Sequence, residues 1–76
     1  MDTTQRTLDI IGRVSGKDPT SLSPEADLVA DLGIDSPKGL QLLVELEEAL
    51  GIEISDEQAA RLDTVGDILT FVAGHA

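Results

Sequence analysis

Apolar residues recur at helical spacing in three segments of the chain, which predicts an all-α fold. The first segment predicts a helix from Thr4 to Ser15, and the Gly16 and Pro19 that follow it are typical of a helix end. At about 100° per residue, one side of this helix gathers the residues expected to face the core. They are Thr7, Leu8, Ile10, Ile11 and Val14.

The second segment predicts a helix from Ser36 to Leu50 that ends at Gly51. Its core stripe consists of Leu42, Leu43, Leu46, Ala49 and Leu50. A second apolar stripe on the opposite side of the same helix consists of Pro37, Leu40 and Val44. Because one apolar stripe is enough to pack a helix onto a core, the second stripe predicts a docking surface for another molecule.

Two further helices are predicted in the last third of the chain. Ser55 and Gln58 form a capping-box pattern, which predicts a short helix over Asp56–Arg61. Thr64 and Asp67 give a looser version of the same signal and start a fourth helix. The apolar residues of this fourth helix, which ends before Gly74, are Val65, Ile68, Leu69 and Val72.

A long connection from Lys17 to Asp35 separates the first two helices. Apolar residues are spaced through it and should pin it to the core: Leu22, Ala26, Leu28, Leu32 and Ile34. We expect a short helical turn around Pro24–Leu28, capped by Ser23, and an extended connector at Ile52–Ile54. The prediction is a small four-helix bundle with a long first loop, made of three main helices and a short third helix. It forms a single domain over residues 1–76.

The acidity of the chain limits its partners. The formal net charge is −10, and all of it lies in residues 21–76, where twelve acidic residues accompany only Lys38 and Arg61. Nucleic acid and anionic membranes would be repelled, whereas a basic protein surface would be attracted. No apolar run approaches the roughly 18 residues of a membrane span, and the first residues lack a secretory signal pattern. We therefore expect a cytoplasmic protein and a monomer.

Ser36 is the residue with the clearest chemical potential. The chain has no cysteine, which excludes disulfides and thiolate chemistry of its own. Its only histidine is His75, expected in a frayed tail, so no base lies near Ser36 to activate the hydroxyl. A serine displayed in this way is a better target for modification by another protein than a nucleophile. From spacing alone, Ser36 or Asp35 could also simply cap the helix.

The motif Asp31-Leu32-Gly33-x-Asp35-Ser36, the amphipathic helix after it and the segment Ile52–Glu57 resemble the acyl carrier protein family. The resemblance extends over essentially the whole chain. It implies that Ser36 is the attachment point of 4′-phosphopantetheine, which a phosphopantetheinyl transferase would move from coenzyme A. It further implies a carrier with no catalytic activity of its own, which presents acyl thioesters to enzymes of fatty acid or polyketide-type synthesis.

The same resemblance implies that acyl-transfer, condensing and other synthase enzymes dock basic patches on the second helix and the start of the third. The matching positions are Asp35, Pro37, Leu40, Gln41, Val44, Glu47, Glu48, Glu53, Asp56 and Glu57. The chain departs from the family pattern at Pro37, Lys38, Gly39 and Gln41, which puts the choice of partners in doubt. A specialised pathway is therefore as plausible as primary fatty acid synthesis.

Other functions fit parts of the same sequence. An aminoacyl or peptidyl carrier would use the same serine. An unmodified acidic adaptor would use only the Pro37, Leu40 and Val44 stripe. Asp27, Asp31 and Asp35 recur every four residues but lack the spacing of a calcium loop, so no metal site is predicted. The carboxylates suggest no catalytic pair, and Phe71 is expected in the core.

Overall fold

The computed structural model describes residues 2–74, and within them it contains four α-helices and no named strand. The helices are α1 (Thr3–Ser15), α2 (Ser36–Leu50), α3 (Asp56–Ala59) and α4 (Val65–Ala73). The predicted bundle of three main helices and one short helix is confirmed. The tail residue His75 lies outside the described residues.

The core is aliphatic and receives residues from all three long helices and from the long loop. Ile11 and Leu46 are fully buried, and Phe71 packs against the core while staying half-buried, as expected. The buried apolar residues are Ile10, Ile11, Val14, Leu28, Leu32, Ile34, Leu42, Leu46, Val65, Ile68 and Val72. The loop residues Leu28, Leu32 and Ile34 therefore pin the first connection to the core, as their spacing predicted.

Polar contacts tie α1 to α2 outside the core. The Arg6 guanidinium donates a hydrogen bond from Nη2 to the carbonyl oxygen of Ala49 at 2.8 Å, where the last carbonyls of α2 lack helical partners. Arg13 forms an ion pair with Glu45 on the next turns of the same two helices. Both contacts are exposed, so they orient the helix pair more than they stabilise it.

The helical turn predicted at Pro24–Leu28 is wrong. Ser23 and Ala26 close a turn there, with the Ala26 N–H donating to the Ser23 carbonyl at 3.0 Å. Beyond that turn, the Ala26 carbonyl accepts from the Val65 N–H at 3.1 Å and the Leu28 N–H donates to the Asp63 carbonyl at 2.9 Å. Because these backbone groups bond to the start of α4, they are not available for a helix.

A single turn of 3₁₀ helix forms earlier in the loop, over Pro19–Ser21. Asp18 caps it, since its Oδ1 accepts from the Thr20 N–H at 2.9 Å and from the Thr20 hydroxyl at 2.7 Å. These two bonds, the first of them the larger cause, hold the pKa of the Asp18 carboxyl below its ordinary value. Pro19–Ser21 and Pro24–Leu28 both follow a capping residue, Asp18 or Ser23, and begin with proline. They differ because the backbone of the second segment bonds to residues near the start of α4.

Helix α3 is shorter than predicted, ending at Ala59 rather than at Arg61. The predicted capping box is present: the Gln58 N–H donates to Ser55 Oγ at 3.1 Å, and the Ser55 N–H donates to Gln58 Oε1 at 3.0 Å. After Ala59 the chain tightens, because Arg61 donates to the carbonyl of Gln58, three residues back, rather than four.

Candidate functional site

A compact turn over residues 27–34 holds the chain in place before α2. Asp27 organises it, since its Oδ1 accepts from the N–H groups of Val29 and Ala30 at 2.9 and 2.8 Å. Asp31 closes the turn from the other side, with Oδ2 accepting from the Asp27 N–H at 2.7 Å. Leu28 and Ile34 are buried on either side, and they are joined by a 2.9 Å bond from the Ile34 N–H to the Leu28 carbonyl.

Glycine is needed at one position in this turn. Gly33 has a φ of 67°, in the left-handed region that side chains with a Cβ rarely occupy. Ile34 follows with only 4% of its surface exposed. The chain therefore reverses at Gly33, anchors at Ile34 and enters α2 in a fixed direction, which explains the Gly in the motif that precedes Ser36.

Asp35, and not Ser36, caps α2. The Asp35 Oδ1 accepts from the Lys38 N–H at 3.1 Å, and the Asp35 carbonyl accepts from the Gly39 N–H at 2.7 Å. Ser36 is the first helical residue and is exposed. Its hydroxyl has no hydrogen bond to any group within residues 2–74. The alternative left open by the sequence is thus resolved, and the serine is free of a capping role.

An apolar cavity of about 200 Å³ lies directly beside Ser36. Its wall comes from the turn before α2, from α2 itself, from α3 with the residues after it, and from α4. The lining residues are Leu28, Val29, Ile34, Asp35, Ser36, Gly39, Leu42, Leu43, Ala59, Leu62 and Ile68. Ser36 therefore borders a largely aliphatic space.

The second apolar stripe of α2 faces solvent, as predicted. Leu40 is 66% exposed and Val44 is 42% exposed, and Pro37 at the helix start is exposed as well. No residue among 2–74 covers them. Acidic residues lie exposed around this stripe and along the start of α3, namely Asp35, Glu48, Glu53, Asp56 and Glu57.

Besides the capping residue Asp35, two of the residues predicted for docking have side-chain contacts inside the protein, Glu47 and Gln41. Glu47 is half-buried, and its Oε2 accepts from the Ile54 N–H at 2.9 Å, which fixes the connector between α2 and α3. Gln41 is exposed and donates from Nε2 to Glu45 Oε2 at 3.1 Å. Only part of the Glu47 carboxylate is therefore available to a partner.

Val29 and Glu45 are not among the residues predicted from the sequence. Val29 is 67% exposed and lines the cavity next to Ser36, although it sits in a loop whose other apolar residues anchor the chain. No periodicity marks it, because the turn is irregular. Glu45 pairs with Arg13 on α1 and accepts from Gln41. The only sequence signal for a role of Glu45 was its position four residues after Gln41, which lets the two side chains meet on the helix surface.

No metal centre is formed by the described residues, since nowhere do three metal-binding side chains converge. Asp27, Asp31 and Asp35 each accept backbone N–H groups instead, as described above. Among the described helices, none combines the length and apolarity that crossing a bilayer requires.

Comparison with known proteins identifies the family of this chain. A family model described as the phosphopantetheine attachment site matches residues 5–72. The meromycolate extension acyl carrier protein of Mycobacterium leprae (strain TN) is 41% identical over 64 residues, which is 84% of this chain. The matched region spans 56% of that relative's length, so the chain corresponds to little more than half of it.

Two solved structures are similar over almost the whole chain. A protein from Mycobacterium tuberculosis described as a candidate acyl carrier protein has a TM-score of 0.86 and 36% identity, covering 97% of this chain and 100% of its own. The acyl carrier protein of Enterococcus faecalis has a TM-score of 0.81 and 27% identity, covering 96% of this chain and 92% of its own. The chain therefore belongs to the acyl carrier protein family, whose cofactor is 4′-phosphopantetheine.

Proposed function

We propose that the Ser36 hydroxyl is the attachment point of 4′-phosphopantetheine and that this chain carries acyl groups on the attached arm. The observation that carries the proposal is the free hydroxyl of Ser36 at the first position of α2, exposed and without an internal hydrogen bond. The residues fit the group, since the start of a helix favours a phosphate and the side chain has no other role to lose.

An external enzyme has to activate this serine. The nearest carboxylate in sequence, Asp35, is occupied by the Lys38 N–H, and residues 2–74 contain no histidine. A phosphopantetheinyl transferase would transfer the group from coenzyme A: the serine oxygen forms the new P–O bond, adenosine 3′,5′-bisphosphate leaves, and the serine proton passes to the transferase. When bound, the arm supplies the thiol that this cysteine-free chain lacks. The chain itself acts as a non-catalytic carrier.

The cavity beside Ser36 would shelter the acyl group. Its lining is aliphatic, with Leu28, Leu42, Leu62 and Ile68 among its walls, so it would take a hydrocarbon chain and exclude water. Sheltering protects a thioester, because water and other nucleophiles cannot reach it.

The exposed stripe and its acidic border fit transient docking to basic enzyme surfaces. Transferases, acyl-transfer and condensing enzymes would contact Leu40 and Val44 in the middle and carboxylates at the edges. Exposed ion pairs are each worth about 0–1 kcal/mol. Several together steer encounter without making the complex long-lived, which suits a carrier that visits many enzymes. Fatty acid or polyketide-type synthesis is the pathway class. Monomeric state, cytoplasmic location and a single domain stay predictions.

The test is enzymatic loading followed by intact mass measurement. The native chain is incubated with coenzyme A, Mg²⁺ and a broad-specificity phosphopantetheinyl transferase, and we expect one phosphopantetheine to be added. Ser36→Ala should add none, whereas Ser23→Ala, which removes another exposed serine at a turn, should load as the native chain does. A folded native chain that stays unmodified would instead favour the unmodified adaptor.

An aminoacyl or peptidyl carrier would pass the same test, because it uses the same attachment chemistry. The aliphatic lining of the cavity favours the acyl carrier. The mass of the cargo released from protein isolated from its natural source separates the two: a fatty or polyketide acyl group supports the proposal, and an amino acid contradicts it.

A further inference from the structure

Gly39 is an unusual residue for its position. It lies in the first turn of α2, and its N–H makes the hydrogen bond to the Asp35 carbonyl that begins the helix. Among ordinary residues glycine forms helices least well, apart from proline. Its φ is not among the positive ones, so the backbone conformation does not require glycine either. A local folding reason for glycine is therefore absent.

Packing of the folded chain does not require glycine at this position. A Cβ at residue 39 would meet only Ile34 Cγ2, at 3.9 Å, which is an ordinary van der Waals distance. Gly12 and Gly66 differ, because a Cβ there would lie 2.8 Å from the Lys17 carbonyl oxygen and 3.0 Å from the Pro24 carbonyl oxygen. Gly12 and Gly66 are explained by close backbone approach, and Gly39 is not.

A side chain at residue 39 would occupy the space beside the cavity. Gly39 and Ser36 are three residues apart and so share one face of α2, and both line the cavity. Ile34, the residue that a Cβ would touch, lines it as well. A side chain at residue 39 would therefore stand at the edge of the cavity, next to Ile34 and on the face of α2 that carries Ser36.

We propose that Gly39 is a specificity-determining residue that keeps the mouth of the cavity wide for an aliphatic acyl chain entering from the Ser36 arm. This inference rests on the proposed function of Ser36. The missing side chain leaves room for the thioester end of the cargo to pass between Ser36 and Ile34. A larger residue at position 39 would narrow that passage and leave more of the cargo in solvent.

The experiment measures how well each variant shelters its cargo. The native chain, Gly39→Ala, Gly39→Leu and Lys38→Leu are loaded from octanoyl-coenzyme A by the transferase, and the thioester is then cleaved with hydroxylamine. Lys38→Leu is the matched control, because it places the same leucine side chain on the neighbouring exposed residue, which does not line the cavity. Free octanoyl-pantetheine gives the unsheltered rate, and acetyl-loaded protein gives the rate for a cargo too short to fill the cavity.

We expect octanoyl-Gly39→Leu to be cleaved at least about threefold faster than the native protein, because fewer molecules hold the cargo inside at equilibrium. The cleavage rate of octanoyl-Gly39→Ala should lie between the rates of the native protein and Gly39→Leu, and octanoyl-Lys38→Leu should be cleaved at the native rate. The acetyl-loaded proteins should all be cleaved at the same rate. Equal octanoyl rates for all four loaded proteins, or a native rate equal to that of free octanoyl-pantetheine, would overturn the inference. If Gly39→Leu does not fold, the Gly39→Ala rate decides, since the 3.9 Å contact accommodates alanine. Failure to load Ser36 would instead overturn the proposed function.

Discussion

The starts of α2 and α4 are built in opposite ways. Helix α4 begins with Val65, which is completely buried, so its first residue is already part of the core. Thr64 and Asp67 then cap it reciprocally: the Asp67 N–H donates to Thr64 Oγ1 at 3.1 Å, and the Thr64 N–H donates to Asp67 Oδ2 at 3.1 Å. The Asp63 N–H adds a third bond to Asp67 at 3.0 Å.

Helix α2 begins with exposed residues and a single side-chain cap. Ser36, Pro37 and Lys38 are exposed, and Asp35 provides the one capping bond. Lys38 puts a positive charge at the positive end of the helix dipole, and Gly39 lowers the helix propensity of the turn. The start of α4 is therefore optimised for stability, whereas the start of α2 gives up local stability to display a serine beside an open cavity. Four predictions test this difference.

The largest expected effect is at the buried start of α4. Val65→Ala removes two methyl groups from a fully buried position and should lower the free energy of unfolding by about 2 kcal/mol, from lost burial and the cavity left behind. Pro37→Ala is the matched change at the start of α2 and should lower it by less than about 1 kcal/mol, because the side chain is exposed and mainly the proline restriction of the unfolded chain is lost. Urea unfolding measures both. Comparable losses would contradict the contrast between the two helix starts.

Removing the N-cap side chain should also destabilise the protein more at α4 than at α2, although by less than the loss of Val65. Thr64→Ala should cost about 1 to 2 kcal/mol, since it removes a half-buried cap that belongs to a reciprocal pair. Asp35→Ala should cost about 0.5 kcal/mol, near the low end for a single exposed cap. Chemical denaturation measures the free energy of unfolding of both variants, and circular dichroism checks that their helix content is unchanged. A larger loss for Asp35→Ala than for Thr64→Ala would reverse the comparison.

The same asymmetry determined what could be predicted from sequence. The start of α4 was identified at the right residue because Thr64 and Asp67 give a capping-box signal, although a looser one, and the apolar Val65 follows directly. At α2 the sequence indicated the helix and its exposed stripe, but it could not decide whether Asp35 or Ser36 caps it, because both residue types serve equally well. That choice depends on backbone direction, which Gly33 and Ile34 set in the folded chain.

The long loop was the least predictable region. Its anchoring residues were recognised from their apolar character, but Pro24–Leu28 was expected to be helical because Ser23-Pro24 is a good local start signal. The backbone groups of this segment instead pair with residues near the start of α4, some forty positions later in the chain. Local propensity cannot register such a partner. The exposure of Val29 beside the cavity was missed because the turn that holds it is irregular and gives no periodic pattern.

A glycine-to-alanine change in the first turn should stabilise the protein at α2 and destabilise it at α4. Gly39→Ala should raise the free energy of unfolding by about 0.5 to 1 kcal/mol, because alanine favours the helix and its Cβ meets only an ordinary contact. Gly66→Ala in the first turn of α4 should lower it instead, because the Cβ would lie 3.0 Å from the Pro24 carbonyl oxygen. Thermal and urea unfolding of the unloaded proteins check the two signs. Two changes of the same sign would show that the helix starts do not differ in this respect.

The smallest expected effect concerns pH and the capping carboxylate of α4. Hydrogen bonds from the Asp63 and Thr64 N–H groups, the former contributing most, hold the pKa of the Asp67 carboxyl below its ordinary value of 3.8. The folded state therefore favours the ionised form of Asp67. The stabilisation that this carboxylate gives to the folded state is fully present at neutral pH. That contribution is lost as the pH falls from about 4 through the lowered pKa.

Asp67→Asn isolates this contribution, because it keeps the shape of the side chain and one accepting oxygen but cannot ionise. We expect the native chain to be more stable than Asp67→Asn at pH 7, and we expect the difference to shrink as the pH falls from about 4 through the lowered pKa of Asp67, where the carboxyl loses its charge. The other carboxylates titrate in both proteins, so the difference between the two unfolding curves removes their effect. A difference that stays constant from pH 7 to pH 3 would mean that the charge on Asp67 does not stabilise the start of α4.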